Sequence, residues 1–204
     1  MNETLEQLLR TNRHVWRGRS GVATHAHGLA TGYVELDAAL PEGGWPCGAL
    51  VELVVSQWGI GELQLLLPAM IAASQNRRRL VWISPPYIPY APALSSSGIS
   101  LSRLLLLQPE QQESIPWAME KVLSKRGGAM VLAWPGKLKP VTIRRLQLAA
   151  EAGGSLGILL HDRDRGASPA ALRMRLAPND TGLQISILKS RAACRRQIID
   201  LVLV

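Results

Sequence analysis

The sequence predicts an α/β domain: a mostly parallel sheet covered by helices, with an antiparallel hairpin at its C-terminal end. Three observations carry that expectation. Short continuous apolar runs such as Ala49–Val55 and Ala129–Ala133 alternate with segments of helical period, the pattern of parallel strands buried on both faces. Segments near the end instead alternate apolar with polar residues, which suits strands wet on one face. A chain of 204 residues, 47% hydrophobic and 19% charged, can bury one substantial core and is not a disordered tail.

Each element follows from its local pattern. Thr4 to Trp16 places Leu5, Leu8, Leu9, Val15 and Trp16 on one helical stripe, with Thr4 and Gln7 spaced as a capping box. This amphipathic helix either docks on its own domain or is offered to a partner. A polar stretch with three glycines, Arg17 to Gly28, reads as a linker. Residues 1–27 are therefore expected to be an appendage, and 28–204 the main domain.

Tyr33 to Leu40 suits a short helix, Pro41 to Pro46 a turn-rich loop and Ala49 to Val55 a strand. The loop Ser56 to Gly61 leads into a helix whose stripe reads Leu63, Leu66, Leu67, Met70, Ile71 and Ser74, interrupted by Pro68, which removes a backbone donor and predicts a kink. Next come an apolar run at Leu80–Ile83, a proline-rich loop at Ser84–Pro92, a helical segment to about Ser97 and a further apolar run at Leu104–Leu107. Gln111 to Arg126 has helical period, Ala129 to Ala133 reads as a strand, Val141 to Ala152 as a helix and Leu156 to Leu160 as a strand. Ala171–Leu176 and Leu183–Leu188 alternate on either side of a turn at Pro178–Gly182, and Gln197 to Val204 offers a last strand.

Charge and cysteine usage narrow the functional classes. The net charge is +8 with a pI near 10.2. Residues 161–204 hold eight arginines and lysines against four aspartates, so an acidic partner, nucleic acid first, is expected. Cys47 and Cys194 share no CxxC spacing, which excludes a disulfide framework and a cysteine-rich zinc module. The N-terminus has no cationic and apolar leader, and the longest apolar stretch runs only from Leu65 to Ala73. A cytoplasmic protein that neither crosses nor binds a membrane is the expectation. His25 and His27 lack a third metal ligand at a convincing spacing, and no nucleophile elbow or Ser/His/Asp order stands out, so neither a metal site nor a catalytic residue is assigned. There is no Phe but six Trp, and most of these are expected to fill core or interface volume.

A strand, a glycine-containing loop and a helix in that order is where a phosphate-binding loop would sit. Here the stretch is Ser56, Gln57, Trp58, Gly59, Ile60, Gly61 and Glu62. The pattern G-x-x-x-x-G-K-[ST] needs a lysine for the phosphates and a hydroxyl for Mg²⁺. Glu62 and Leu63 hold those slots instead. At an effective dielectric near 20, a carboxylate about 4 Å from a phosphate charge costs roughly 4 kcal/mol. The strand at Ala129–Ala133 also ends without the carboxylate that would orient Mg²⁺. No nucleotide or other cofactor is expected. Trp58 either plugs the vacant phosphate position or marks a binding hot spot.

Thr31–Leu40 followed by Gly43–Leu53 resembles the RecA family's lead-in to its P-loop, STG-x-x-x-LD-x-x-L…GG-x-P-x-G-x-x-x-E-I. The resemblance implies a RecA-like P-loop NTPase core with a degenerate P-loop. Ile185 to Arg191 is similar to that family's strand ending K-x-K/R, so Lys189 and Arg191 would face a neighbouring subunit, an acidic partner surface or DNA. His161 to Gly166 occupies the place of the RecA loop that contacts DNA. Candidate DNA or partner contacts are therefore Arg163, Arg165, Arg173, Arg175, Lys189, Arg191, Arg195 and Arg196, each of which also has a plain reading as a solvated charge. Arg77 to Arg79 fit the end of a helix.

Leu80–Pro86, Gly98-Ile99 and Arg103–Leu107 are similar to the SulA family of cell-division inhibitors. With Gly59–Leu65 and Ser168–Arg173 added, residues 28 to 195 most resemble the ImuA family, RecA/SulA-like accessory proteins of mutagenic translesion synthesis. That resemblance implies a non-enzymatic, SOS-induced factor for DNA damage. Its partners would be an ImuB-type inactive Y-family polymerase relative, an error-prone replicative-polymerase homologue and RecA itself, with sequence-independent DNA binding. The alternatives are a SulA-like inhibitor of the tubulin-like division GTPase FtsZ and a RecA-type ATPase with a non-standard loop.

Overall fold

The computed structural model describes residues 28–76, 78–164, 166–191 and 197–203. In chain order these form α1 (Val34–Ala39), β1 (Ala49–Val55), α2 (Glu62–Gln75), β2 (Arg79–Ile83), α3 (Ala91–Ser96), β3 (Leu104–Leu107) and α4 (Ser114–Leu123). Then follow β4 (Ala129–Ala133), α5 (Pro140–Gly153), β5 (Leu156–His161), β6 (Leu172–Asn179), β7 (Gly182–Ser190) and β8 (Ile198–Val202). One sheet runs β3-β2-β4-β5-β1-β6-β7-β8, parallel from β3 to β6 and antiparallel across β6-β7-β8. The chain is thus α/β, with a mostly parallel sheet and a C-terminal antiparallel hairpin.

Side-chain alternation splits the core into two layers. Val51, Leu53 and Val55 of β1 face α1 and α2, where Leu36, Leu65, Leu66, Ala69 and Met70 meet them. Leu50 faces the other way, toward Met119 and Leu123 of α4 and Ile143 and Leu146 of α5. Strands β6 to β8 bury apolar side chains mainly on the first of these faces, through Met174, Leu176, Ile185 and Leu201. That one-sided cover is why their sequence alternates while β1 and β4 are apolar throughout.

Several boundaries differ from the sequence expectation. The buried face of α2 is Leu65, Leu66, Ala69, Met70, Ala73 and Ser74, whereas Leu63, Leu67 and Ile71 are half-buried. The leucine-rich start of this helix is apolar on nearly every side, so periodicity does not select the face. α4 is shorter than Gln111–Arg126, with Pro116 in its first turn, where a missing N–H costs least. The hairpin pairs out to Asn179 and Gly182, leaving a two-residue turn in which Asn179 Oδ1 accepts the Thr181 N–H at 3.1 Å. β5 extends to His161, which pairs in register with Val54 and is not a loop residue. Trp45 and Trp82 are buried, but Trp117 stands exposed on α4 with Lys121 over its ring at 5.8 Å. Among the described residues, no helix is long and apolar enough to cross a membrane.

Candidate functional site

The loop from Ser56 to Gly61 lies between β1 and the N-terminus of α2, where backbone amides would cradle a phosphate. Its place is taken by the chain's own anion. The Gly59 N–H donates to both carboxylate oxygens of Glu62, at 3.0 and 3.1 Å, and Glu62 is buried. A charge-assisted bond of this kind stabilises the loop by roughly 1.5–3 kcal/mol, and a carboxylate in the first turn also opposes the helix dipole favourably. Gly61, at φ 110, carries Leu203 against it so closely that a Cβ would come within 2.3 Å of Leu203 Cδ1. Trp58 and Ile60 are half-buried and pack on the larger core cluster. Ser56, Gln57 and Gly59 are exposed.

The lead-in motif meets the helix that follows this loop. Buried Thr31 donates its N–H to Asp37 Oδ1 at 2.9 Å and exchanges hydrogen bonds with the Tyr33 backbone through its hydroxyl. Gly32, at φ 89, lies so close to Pro68 that a Cβ would meet the proline ring at 2.5 Å. Pro68 cannot donate to the Gln64 carbonyl within α2. The Tyr33 hydroxyl donates to that carbonyl instead, at 3.3 Å. Gly32 and Tyr33 therefore meet α2 at its proline, and the helix runs on from Glu62 to Gln75 across Pro68.

A second polar centre lies on the opposite face of the sheet. Glu52 of β1 sits in register with Arg173 of β6, and both are nearly excluded from solvent. Arg173 Nε is 2.8 Å from Glu52 Oε2, at an angle outside hydrogen-bond geometry, so charge holds that contact. His161 Nε2 lies 3.5 Å from Glu52 Oε1. Burial pushes the Glu52 carboxyl up, but the polar groups of His161 and Ser168 beside it and the charges of His161 and Arg173 outweigh it, leaving a net downward shift. Asp164 extends the network, accepting from Arg173 at 2.9 Å and Arg175 at 2.6 Å. The Gly166 N–H first, then the Arg173 guanidinium, hold Asp164 down to about 2.

This network forms the floor of a cleft of about 200 Å³, between the segment after β4 and the segment after β5. Lys137 and Arg163 stand on its rim, and Val54, Leu138, Pro140 and Ile143 supply an apolar wall. Its chemistry can hold an anion by charge and an aliphatic group by contact.

The candidate cations fall into different environments. Arg173 is buried in the ion network and Arg175 is paired with Asp164. Lys189 Nζ donates to the carbonyls of Ser168 and Ala170 at 2.6 and 2.8 Å, and burial pushes its ammonium downward. Arg191 pairs with Glu151. Arg163 is open, with an 81% exposed side chain 3.9 Å from Asp162. Arg165, Arg195 and Arg196, the segment with Leu5, Leu8, Leu9 and Trp16 expected to be helical, and the His25/His27 pair lie outside the described residues.

Two features were missed in the sequence. Glu52 was readable, since a lone carboxylate inside the apolar run Ala49–Val55 must find a partner. The second is an apolar edge. Leu105 and Leu106 are 42% and 43% exposed on β3, and Tyr87, Ile88 and Tyr90, in the loop after β2, are more exposed still.

A family model described as cell division inhibitor SulA matches residues 48–157, from the start of β1 into β5, and so includes the loop with Glu62. Cell division inhibitor SulA of Edwardsiella piscicida is 30% identical over 122 residues, covering 57% of this chain and 73% of that one. SulA of Serratia marcescens is 29% identical over 122 residues, 60% of this chain and 72% of its own. Protein ImuA of Caulobacter vibrioides is 28% identical over a longer span, 181 residues, covering 80% of this chain and 73% of its own.

Proposed function

This chain belongs to the family described as cell division inhibitor SulA, and from that membership we propose that it is a non-enzymatic accessory factor of the DNA-damage response, acting by protein recognition. Its core is a RecA-like P-loop core that has given up nucleotide chemistry. One observation carries this reading: the Glu62 carboxylate takes the Gly59 N–H that a phosphate would need. An incoming phosphate must displace a buried anion and then face it, at a cost of several kcal/mol.

The longer match to ImuA, 181 residues against 122 for the SulA relatives, favours a role in mutagenic translesion synthesis. The partners are then an ImuB-type inactive polymerase relative, an error-prone replicative-polymerase homologue and RecA. The exposed sheet edge at Leu105 and Leu106 supports protein binding, because apolar surface of this kind marks contact sites. Among the described arginines proposed to meet DNA or a partner, Arg163 has the most exposed side chain, 81% against 49% for Arg175 and 45% for Arg191.

The family-model match over residues 48–157 favours a second reading, inhibition of the division GTPase FtsZ. Capture of purified partners by the full chain separates the two. Retention of the ImuB-type protein, weakened in Leu105→Asp, supports the first. Retention of FtsZ alone, with block of its polymerisation, establishes the second and refutes the first.

A further inference from the structure

The cleft on the α4/α5 face has a charge balance that selects a ligand. Glu52 is already committed to Arg173 and His161, so its negative charge is neutralised within the protein. Lys137 and Arg163 then leave the rim cationic, and Lys137 makes no ion pair among the described residues. Arg163 keeps only an exposed contact with Asp162 at 3.9 Å, of the kind worth less than about 1 kcal/mol and readily exchanged. On the floor, His161 is 6% exposed, and neither of its ring nitrogens makes a hydrogen bond among the described residues. A buried polar side chain without a hydrogen-bond partner in a cleft lining favours a polar group as its neighbour there.

The remaining wall is aliphatic: Val54, Leu138, Pro140 and Ile143. Among the described residues, His161 is the one aromatic side chain in the cleft lining, which gives a nucleobase no stacking platform of the usual kind. An oxyanion beside an aliphatic group fits both halves of the lining.

We infer that this cleft receives an acidic, aliphatic segment of a partner protein, with a carboxylate set against His161, Arg163 and Lys137 and a neighbouring aliphatic side chain on the apolar wall. The inference rests on the reading that the chain acts by protein recognition, and it adds the chemistry of one recognised segment. The net +8 of the whole chain adds long-range attraction for such a segment.

Fluorescence anisotropy of the full chain tests it with three labelled probes: a short peptide alternating aspartate and leucine, the same peptide with asparagine for aspartate, and a thymidine oligonucleotide. The acidic peptide binds saturably, and its asparagine counterpart binds at least about tenfold more weakly, the scale for losing a charge pair at an interface. In the double variant Lys137→Glu, Arg163→Glu, whose changes lie at surface positions, acidic-peptide binding falls by about tenfold or more with the far-UV spectrum unchanged. No saturable peptide binding, or binding equal in the variant, overturns the inference. So does tighter binding of the oligonucleotide that is lost in the same variant. Capture of a protein partner by a chain that ignores the peptide refutes this inference while leaving the broader reading intact.

Discussion

Replacing Arg173 by methionine tests whether the buried ion network organises the β1-β6 seam. The substitution keeps the aliphatic stem and removes the guanidinium that stands 2.8 Å from Glu52 and 2.9 Å from Asp164. Glu52 then keeps only His161 at 3.5 Å and Ser168 beside it, in a site where its side chain is 5% exposed. Breaking a buried pair from one side costs about 3–5 kcal/mol, because the surviving charge stays desolvated. For a chain of this size that is a fall in Tm of roughly 6–20 °C, at about 2–4 °C per kcal/mol. Adding Glu52→Leu removes the stranded charge, and the double variant recovers to within about 2 kcal/mol of the parent. Urea unfolding followed by tryptophan fluorescence reads both numbers. A single variant within about 1 kcal/mol of the parent, or a double variant no better than the single, refutes the assignment of Arg173 to a structural network.

Gly32→Ala places a Cβ 2.5 Å from the Pro68 ring at a backbone φ of 89, so destabilisation of about 2 kcal/mol or more is expected in thermal unfolding, partly relieved by Pro68→Ala. Asp164, held near 2 in the folded protein against 3.8 as its ordinary value, contributes stability that is present above pH about 4 and is lost as pH falls toward about 2. The Glu52 carboxyl, also shifted downward, adds to the same acid limb. Solvent screening of the partly exposed Asp164 limits its share to roughly 1 kcal/mol. Denaturant midpoints across that range therefore fall less in Asp164→Asn than in the parent.

The strands were legible because a parallel strand buried on both faces must be apolar along its length, as Ala49–Val55 and Ala129–Ala133 are. Glu62 in the lysine slot was legible too, but its bond to Gly59 was not, since that depends on how the loop folds back. Arg173 and Arg175 illustrate the limit. Their alternation with apolar residues predicts a wet face, and Arg175 is indeed half exposed, but Arg173 lies opposite a carboxylate on a non-sequential neighbour and is buried. Strand order decides such cases, and periodicity carries no information about it. The same blindness hid the open edge. Leu104–Leu107 reads as buried strand, but β3 is last in the sheet, so Leu105 and Leu106 are left exposed.

The most direct measurement of the central claim is an equilibrium titration of the full chain with Mg-ATP, followed by calorimetry. With the loop amide held by Glu62, no saturable heat appears up to about 1 mM, the level corresponding to a binding free energy of about −4 kcal/mol. Stoichiometric binding in the micromolar range, abolished by Gly59→Pro, would contradict the account.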